Sequence, residues 1–331
     1  MMTEPLNIAV WGLGKHALNR ILPAIKGCQH LSLYGVYTRD QSVLSRVGEH
    51  YQCKAFSSEA ELLNDSHLDV IYLSTPIGLH YSQGKSVLTA NKHLWCEKPL
   101  ATHYRHACEL IELAREKALS VFEGFMYLYH PQFLHLNDYI ENNHAQLDLI
   151  ESRFTIPMLE KPGFRHNPDL GGSALYDIGC YPLSLVQALM GKQNSDIKYC
   201  RIKRDAQLGV DVRGKVLLEY ESGVQASLDW GMGLGYTNSV SVLGAEGRVF
   251  ADKIFSKPDE YEASVVSYDQ YGNQIEQKSS SCNQFTAMFD AFAEKVTNLL
   301  SIEDEYNRML GRTKLLENIN KYANSRFVTK F

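Results

Sequence analysis

Leu6-Asn7-Ile8-Ala9-Val10-Trp11-Gly12-Leu13-Gly14-Lys15-His16-Ala17 decides the fold. Residues 6–11 form an apolar run with the length of a buried strand, and Gly12-x-Gly14-x-x-Ala17 follows at once. Leu18, Ile21, Leu22 and Ile25 then recur at helical spacing. Strand, G-x-G-x-x-A, helix is the order that turns a common glycine pattern into a dinucleotide site. Gly12 makes the tight turn, Gly14 admits a pyrophosphate to the backbone, and Ala17 lets the helix pack close to the strand. Free N–H groups at the helix start offer partial positive charge to the phosphates.

The alternation continues outward from there. Strands are expected at 31–37, 53–56, 69–73, 92–96 and 119–125, with helices at 41–51, 59–63, 78–90 and 104–117 between them. Strands alternating with helices imply a doubly wound parallel sheet. Ligands of such sheets bind outside the carboxyl ends of the strands. The strand ends at 11, 37, 73 and 96 are therefore expected to converge on one crevice.

Two stretches feed that crevice. Ser74-Thr75-Pro76 follows the fourth strand, and Glu97-Lys98-Pro99 follows the fifth. Alone, Glu97-Lys98 would read as a solvated pair capping a strand. A lysine aimed into a cofactor crevice is better placed for chemistry, because burial or a nearby cation lowers its pKa towards that of a useful proton donor. Pro99 fixes its own φ and so helps to aim Lys98.

Cofactor choice rests on Tyr37-Thr38-Arg39-Asp40. An acid at the second strand's end bonds the ribose 2′-OH of NAD, whereas an arginine accommodates the 2′-phosphate of NADP. Thr38 and Arg39 favour NADP, with Arg39 able to grip a phosphate bidentately. Were the strand to end two residues later, Asp40 would be the ribose acid and NAD the cofactor. The cofactor contacts expected are Gly12, Gly14, Lys15, His16, Thr38, Arg39, Ser74, Thr75, Pro76, His80, Glu97 and Lys98.

From residue 147 the pattern changes to strand-like runs at 147–156, 197–204, 212–220, 224–230 and 239–243, with weaker ones at 248–251 and 262–268. Glu221-Ser222-Gly223 and Gly244-Ala245-Glu246-Gly247 suggest hairpins, hence a large, mostly antiparallel open sheet. Helical spacing returns at 285–300 and 303–322. A second glycine run, Gly231 to Gly235, precedes a strand and reads as a turn, not a phosphate loop. The boundary falls near Met126, giving a dinucleotide-binding domain at 1–126 and a substrate-binding and oligomerisation domain at 127–331.

In this half, Gly171 to Gly191 is a glycine-bounded apolar helix in which Asp177 and Tyr181 share a face. Pro182 cannot donate to the carbonyl of Ile178, so a kink or helix start is expected there. A carboxylate and a phenol on one face can orient a hydroxyl and pass a proton. They can equally be a buried hydrogen-bonded couple.

Composition narrows the class. A net charge of -5 offers no basic footprint for nucleic acid. The seven cysteines are scattered without a C-x-x-C pair, which suggests neither a zinc ribbon nor a disulfide framework. His103 and His106 lack a third partner in sequence, so no metal is expected. The apolar start is too short for a signal peptide or a membrane span, and a cytoplasmic protein is expected.

Taken together, Gly12-x-Gly14-x-x-Ala17, Glu97-Lys98-Pro99 and Asp177-x-Gly179-x-Tyr181 resemble the Gfo/Idh/MocA oxidoreductases over nearly the whole chain. The resemblance implies an N-terminal Rossmann domain, a C-terminal α/β domain with an open sheet, an NAD or NADP cofactor, and a lysine at the substrate beside the nicotinamide. It also implies that the Lys98–Pro99 bond is cis. Glu123-Gly124-Phe125-Met126, His130-Pro131-Gln132, Phe154 to Pro157 and Phe164-Arg165 look most like the NADPH-dependent 3-ketoreductases of nucleotide-linked deoxysugars. Tyr181 departs from inositol-type members, which carry histidine there, and is shared with glucose–fructose oxidoreductase and dihydrodiol dehydrogenase types.

The expected activity is hydride transfer between NADP and a keto or hydroxyl carbon of a sugar, with Lys98 and Tyr181 flanking the oxygen and Asp177 beside them. A phenol's ordinary pKa of about 10 means that Tyr181 would need a nearby cation to act. Phe164, Arg165 and Tyr236 are the candidates for the nucleotide end of the substrate, within a loop that includes Lys161-Pro162-Gly163. The alternatives are a general sugar or trans-dihydrodiol dehydrogenase and, on the same fold, a non-catalytic NADP- or sugar-sensing regulator. A homodimer or homotetramer is expected through the open sheet face, with Tyr199, Val216, Leu218 and Leu228 on that face.

Overall fold

A computed structural model describes residues 4–143, 147–161 and 163–325. Pro162, in the expected substrate loop, lies outside the described residues. The chain divides into two compact units, residues 1–126 with 284–313 and residues 127–283 with 314–331. The sequence division at 126 does not include the return of 284–313 to the first unit.

The first unit is built on a six-stranded sheet. Its elements are β1 (Leu6–Trp11), α1 (Leu22–Lys26, entered through a π-helical turn at Ala17–Ile21), β2 (Leu31–Tyr37), α2 (Gln41–Tyr51), β3 (Lys54–Ala55), α3 (Glu59–Asn64), β4 (Val70–Leu73), α4 (His80–Thr89), β5 (His93–Cys96), α5 (Tyr104–Glu116) and β6 (Val121–Glu123). The strand order is β3-β2-β1-β4-β5-β6, all parallel. The order reverses between β1 and β4, which is where an open parallel sheet opens a crevice. Trp11 pairs with both Tyr37 and Leu73, and Leu73 pairs with Cys96. The four strand ends therefore line up in one row. The expected convergence is observed.

Both faces of this sheet are covered. Leu94, Cys96 and Val121 pack with Val87, Leu88, Leu110 and Ile111 of α4 and α5. Trp95 and Phe122 take the opposite face, against Phe289 and Phe292, with the Phe122 and Phe292 rings stacked at 4.3 Å.

The second unit begins with α6 (Pro131–Asn143), which the sequence reading lacks, and β7 (Leu147–Ile156). A π-helical turn at Leu175–Gly179 leads into α7 (Cys180–Met190). This is the break expected ahead of Pro182, whose missing N–H leaves the Ile178 carbonyl without its i+4 donor. Seven strands follow: β8 (Ser195–Arg204), β9 (Asp211–Tyr220), β10 (Gln225–Met232), β11 (Thr237–Gly244), β12 (Gly247–Asp252), β13 (Ser264–Asp269) and β14 (Gln274–Lys278). The chain closes with α8 (Gln284–Thr297), of the first unit, and α9 (Glu303–Ser325), whose residues fall to both. The sheet order is β14-β13-β12-β11-β7-β10-β9-β8, with β7 and β10 parallel and every other pair antiparallel.

α7 and the turn before it cover one face of this sheet. Gly179 lies so close to Trp230 that a Cβ there would sit 2.9 Å from the indole. Strand alternation then fixes the faces, and one expectation needs correction. Val216, Leu218 and Leu228 are fully buried on the covered face. Only Tyr199, at 40% exposure, stands on the open one. An apolar alternation reveals which residues share a face, but not which face the helices cover.

Candidate active site

In the first unit the glycine loop has the shape its sequence demands. Gly12 has φ +105° and donates to the carbonyl of Tyr37 at 2.9 Å. A Cβ on it would meet the Ser74 carbonyl oxygen at 2.6 Å. Gly14 differs, because a Cβ there would meet nothing within 4 Å. Its backbone faces open space, as a loop that admits a pyrophosphate needs. Lys15 and Arg39 are exposed, Thr38 is half-buried, and Arg39 has no ion-pair partner among the described residues. β2 ends at Tyr37, and Asp40 is the N-cap of α2, accepting from the N–H groups of Ser42 and Val43. Asp40 is thus engaged by its own helix, and the condition for its reading as the ribose acid is not met. The residues present fit a dinucleotide, with the exposed guanidinium of Arg39 just beyond the end of β2.

The strand ends beyond β4 and β5 are braced from several sides. The Lys98–Pro99 peptide is cis, and Lys98 is buried. Just before it, Glu97 accepts from the Tyr72 hydroxyl at 2.6 Å and is bound to His16 Nε2 at 2.9 Å. Burial acts to raise the Glu97 pKa, but attraction to His16, hydrogen bonds from His16 and Tyr72, and the Lys98 charge bring it down to about 2. Just after it, His80 reaches the Pro99 carbonyl through Nδ1 and the Thr75 carbonyl through Nε2, both at 2.9 Å. The Leu100 N–H donates to Glu123 at 2.7 Å, and the other Glu123 oxygen is held by Arg312 at 2.6 and 2.8 Å. Lys98 is presented by a fixed backbone.

Two expected cofactor contacts change role here. His80 is fully buried with both ring nitrogens occupied, and burial lowers its pKa. It ties the Ser74-Thr75-Pro76 turn to Pro99 and has no surface to offer a ligand. Glu97 chiefly joins the glycine loop to β4, through His16 and Tyr72. Thr75 itself donates to Gln83 at 2.6 Å, while Ser74 and Pro76 are half-buried beside the loop.

The second unit assembles Asp177 and Tyr181, both more than nine-tenths buried. The Tyr181 ring is boxed by Tyr127, Phe154 and Phe255 at 5.2 to 6.1 Å. Arg165 Nε donates to Asp177 at 2.5 Å, and its guanidinium lies 5.0 Å from the Phe164 ring. The loop bearing both is seated on Gly172, where a Cβ would strike the carbonyls of residues 164, 165 and 167 at 2.6 to 2.7 Å. Tyr236 is exposed, its hydroxyl accepting from Asn238 at 3.1 Å.

Sequence reasoning missed the groups that hold these in place. Asp211 accepts from the Ser173 hydroxyl and the Leu175 N–H, at 2.5 and 2.7 Å, and so pins the start of the helix that carries Asp177 and Tyr181. Glu123 and Arg312 do the same for Leu100. A buried glutamate at the end of β6 was a visible signal, because an unpaired carboxylate does not stay buried. Its partner 189 residues away was not.

Comparison with known proteins agrees with this geometry. Residues 6–125 match the family described as "Oxidoreductase family, NAD-binding Rossmann fold", and residues 142–250 match the "GFO/IDH/MocA C-terminal domain". A dTDP-3,4-didehydro-2,6-dideoxy-alpha-D-glucose 3-reductase of Streptomyces violaceoruber is 31% identical over 88% of this chain and 85% of its own. A NADP-dependent D-xylose 1-dehydrogenase of Haloferax volcanii is 25% identical over 87% of this chain and 88% of its own. The crystal structure of a 3-ketoreductase from Actinomadura kijaniata, with NADP and TDP-benzene, superposes with a TM-score of 0.91 at 27% identity, covering 96% of this chain and 98% of that one. Among the described residues no helix is long and apolar enough to cross a membrane.

Proposed function

Because the chain belongs to the Gfo/Idh/MocA oxidoreductase family, an NAD(P)-dependent group, we propose that it reduces the keto group of a nucleotide-linked deoxysugar with NADPH. The observation that carries this reading is the bracing of Lys98 at the strand-end row beside an open glycine loop. NADPH, when bound, supplies the hydride. Gly12 and Gly14 take its pyrophosphate, with Lys15, His16, Thr38, Ser74, Thr75 and Pro76 around it. Lys98 polarises the sugar carbonyl and gives the proton that the new alkoxide needs. Tyr181 and Asp177 bond the sugar hydroxyls. Arg165 is ion-paired with Asp177 and, with Phe164 and Tyr236, is proposed to meet the nucleotide end.

A panel of ketosugars, each with and without a nucleoside diphosphate, tests this through NADPH oxidation. A strong preference for the nucleotide form is expected. Equal turnover of the free sugars would overturn the nucleotide part and leave a general sugar or diol dehydrogenase.

The NADP assignment rests on an exposed Arg39 and on the engagement of Asp40 in its own helix. Arg39→Ala is expected to weaken NADPH binding by about ten- to a hundredfold, the loss of a bidentate charged contact, while NADH affinity is unchanged. Fluorescence quenching titrations with the two cofactors measure both. Equal weakening of NADH would contradict the assignment.

We also propose a homo-oligomer built on the open face of the second sheet. Leu149, Leu243, Phe250, Val266 and Tyr268 share that face across β7, β11, β12 and β13. Leu243 is exposed and the other four are half-buried around Arg248, and an apolar cluster left open on a sheet face marks an interaction site. Sedimentation should show a dimer or tetramer, and a stable monomer at micromolar concentration would contradict it.

A further inference from the structure

The same open face carries a second feature, away from its apolar patch. Strand register sets Arg201 directly opposite Lys215, and Lys203 directly opposite Arg213, on β8 and β9. The next positions across are Asp229 on β10 and Arg153 on β7. Five cations and one carboxylate thus line a shallow concavity of ≈ 620 Å³, rimmed by Tyr199.

Like charges directly opposite one another destabilise a strand pair, and here two such pairs stand side by side. Asp229 lies 3.5 Å from Arg153 and 3.6 Å from Lys215, which leaves the rest uncompensated. Arg201 and Lys203 have no ion pair or hydrogen bond among the described side chains. Arg213 donates through Nη2 to the Gly233 carbonyl at 3.0 Å, while its Nε is buried and has no partner among the described residues. A chain of net charge -5 has gathered these cations in one place. Blunting of an edge strand explains lysines on β8. It does not explain matching cations on β9, an interior strand.

We propose that this concavity binds a compact polyanion of the oligophosphate class. The opposed pairs are about 5 Å across and about 7 Å apart along the strands. Four cationic side chains converging from such a rectangle offer each of two adjacent phosphoryl groups its own pair. Asp177 and Tyr181 lie on the covered face of the same sheet, so this site is separate from the proposed substrate-binding residues of this unit.

The test is calorimetric titration of the protein with inorganic pyrophosphate, at constant ionic strength and with NADPH in excess so that the glycine loop is filled. Saturable binding is expected, weakened at least about tenfold in Lys203→Gln/Arg213→Gln and in Arg201→Gln/Lys215→Gln. In buffer free of multivalent anions both variants should melt close to the parent, since each relieves a repulsive pair while losing one surface contact, Lys215 to Asp229 or Arg213 to the Gly233 carbonyl. ADP in place of pyrophosphate separates the sources, and either a matched or a weaker affinity for it fits an oligophosphate site. Unchanged pyrophosphate affinity in both variants would overturn the proposal, as would no saturable binding by the parent. So would variants that change the sedimentation coefficient while the parent binds no pyrophosphate, because the occupant would then be a second copy of the chain.

Discussion

Lys98→Ala is expected to slow NADPH-dependent ketone reduction by about a hundred- to ten-thousandfold, the range for removing a positioned acid, with NADPH still bound. The neighbouring backbone does not depend on the Lys98 side chain for its position. Glu97 is held by His16 and Tyr72, Pro99 by His80, and Leu100 by Glu123. Truncation at Lys98 therefore removes a functional group from a standing frame. Lys98→Arg sharpens the result, because a guanidinium keeps the charge but does not give up a proton near neutral pH. It should bind substrate and leave hydride transfer slow. Single-turnover absorbance at the nicotinamide band measures this, and a wild-type rate in either variant would remove Lys98 from the mechanism.

The second large effect is on stability. Arg312 and Glu123 are 5% exposed each, and their pair is reinforced by the Leu100 N–H. Arg312→Ala leaves a buried carboxylate without its cation, a change that costs about 3–5 kcal/mol. In contrast, the double replacement Glu123→Leu/Arg312→Met is expected to recover much of that loss, as apolar substitutes of buried ion pairs do. It leaves the Leu100 N–H without an acceptor, so the backbone beside Lys98 should loosen and turnover stay low. Urea denaturation of the three proteins separates these effects. Equal stability of Arg312→Ala and the parent would show that the pair is not the brace described here.

The parallel half of the fold was legible because each strand is an apolar run bounded by turn residues. β2 and α2 occur at the residues their periodicity marks. The antiparallel half was legible where strands alternate, and it failed at β14. There Gln274-Ile275-Glu276-Gln277-Lys278 is exposed throughout and carries no burial signal. α6 was missed because Pro131 reads as a breaker. Proline is in fact favoured in a helix's first turn, and Phe133, Leu136 and Ile140 behind it are buried at helical spacing. In the candidate site, the groups that carry chemistry were visible as motifs. Of those that hold them, Glu123 and His80 stood out as single residues, but Asp211, Arg312 and the pairings that make the brace did not. Their partners are distant in sequence, and only the folded chain brings them together.

The most direct test of the central claim follows the hydride itself. The protein is given NADPH deuterated at the transferable C4 position and a nucleotide-linked ketodeoxysugar, and the product is weighed by mass spectrometry. One deuterium on the reduced sugar carbon is the result predicted. Tight NADPH binding with no label in any sugar of the panel would contradict the account, and would leave the chain a sensor on an oxidoreductase fold.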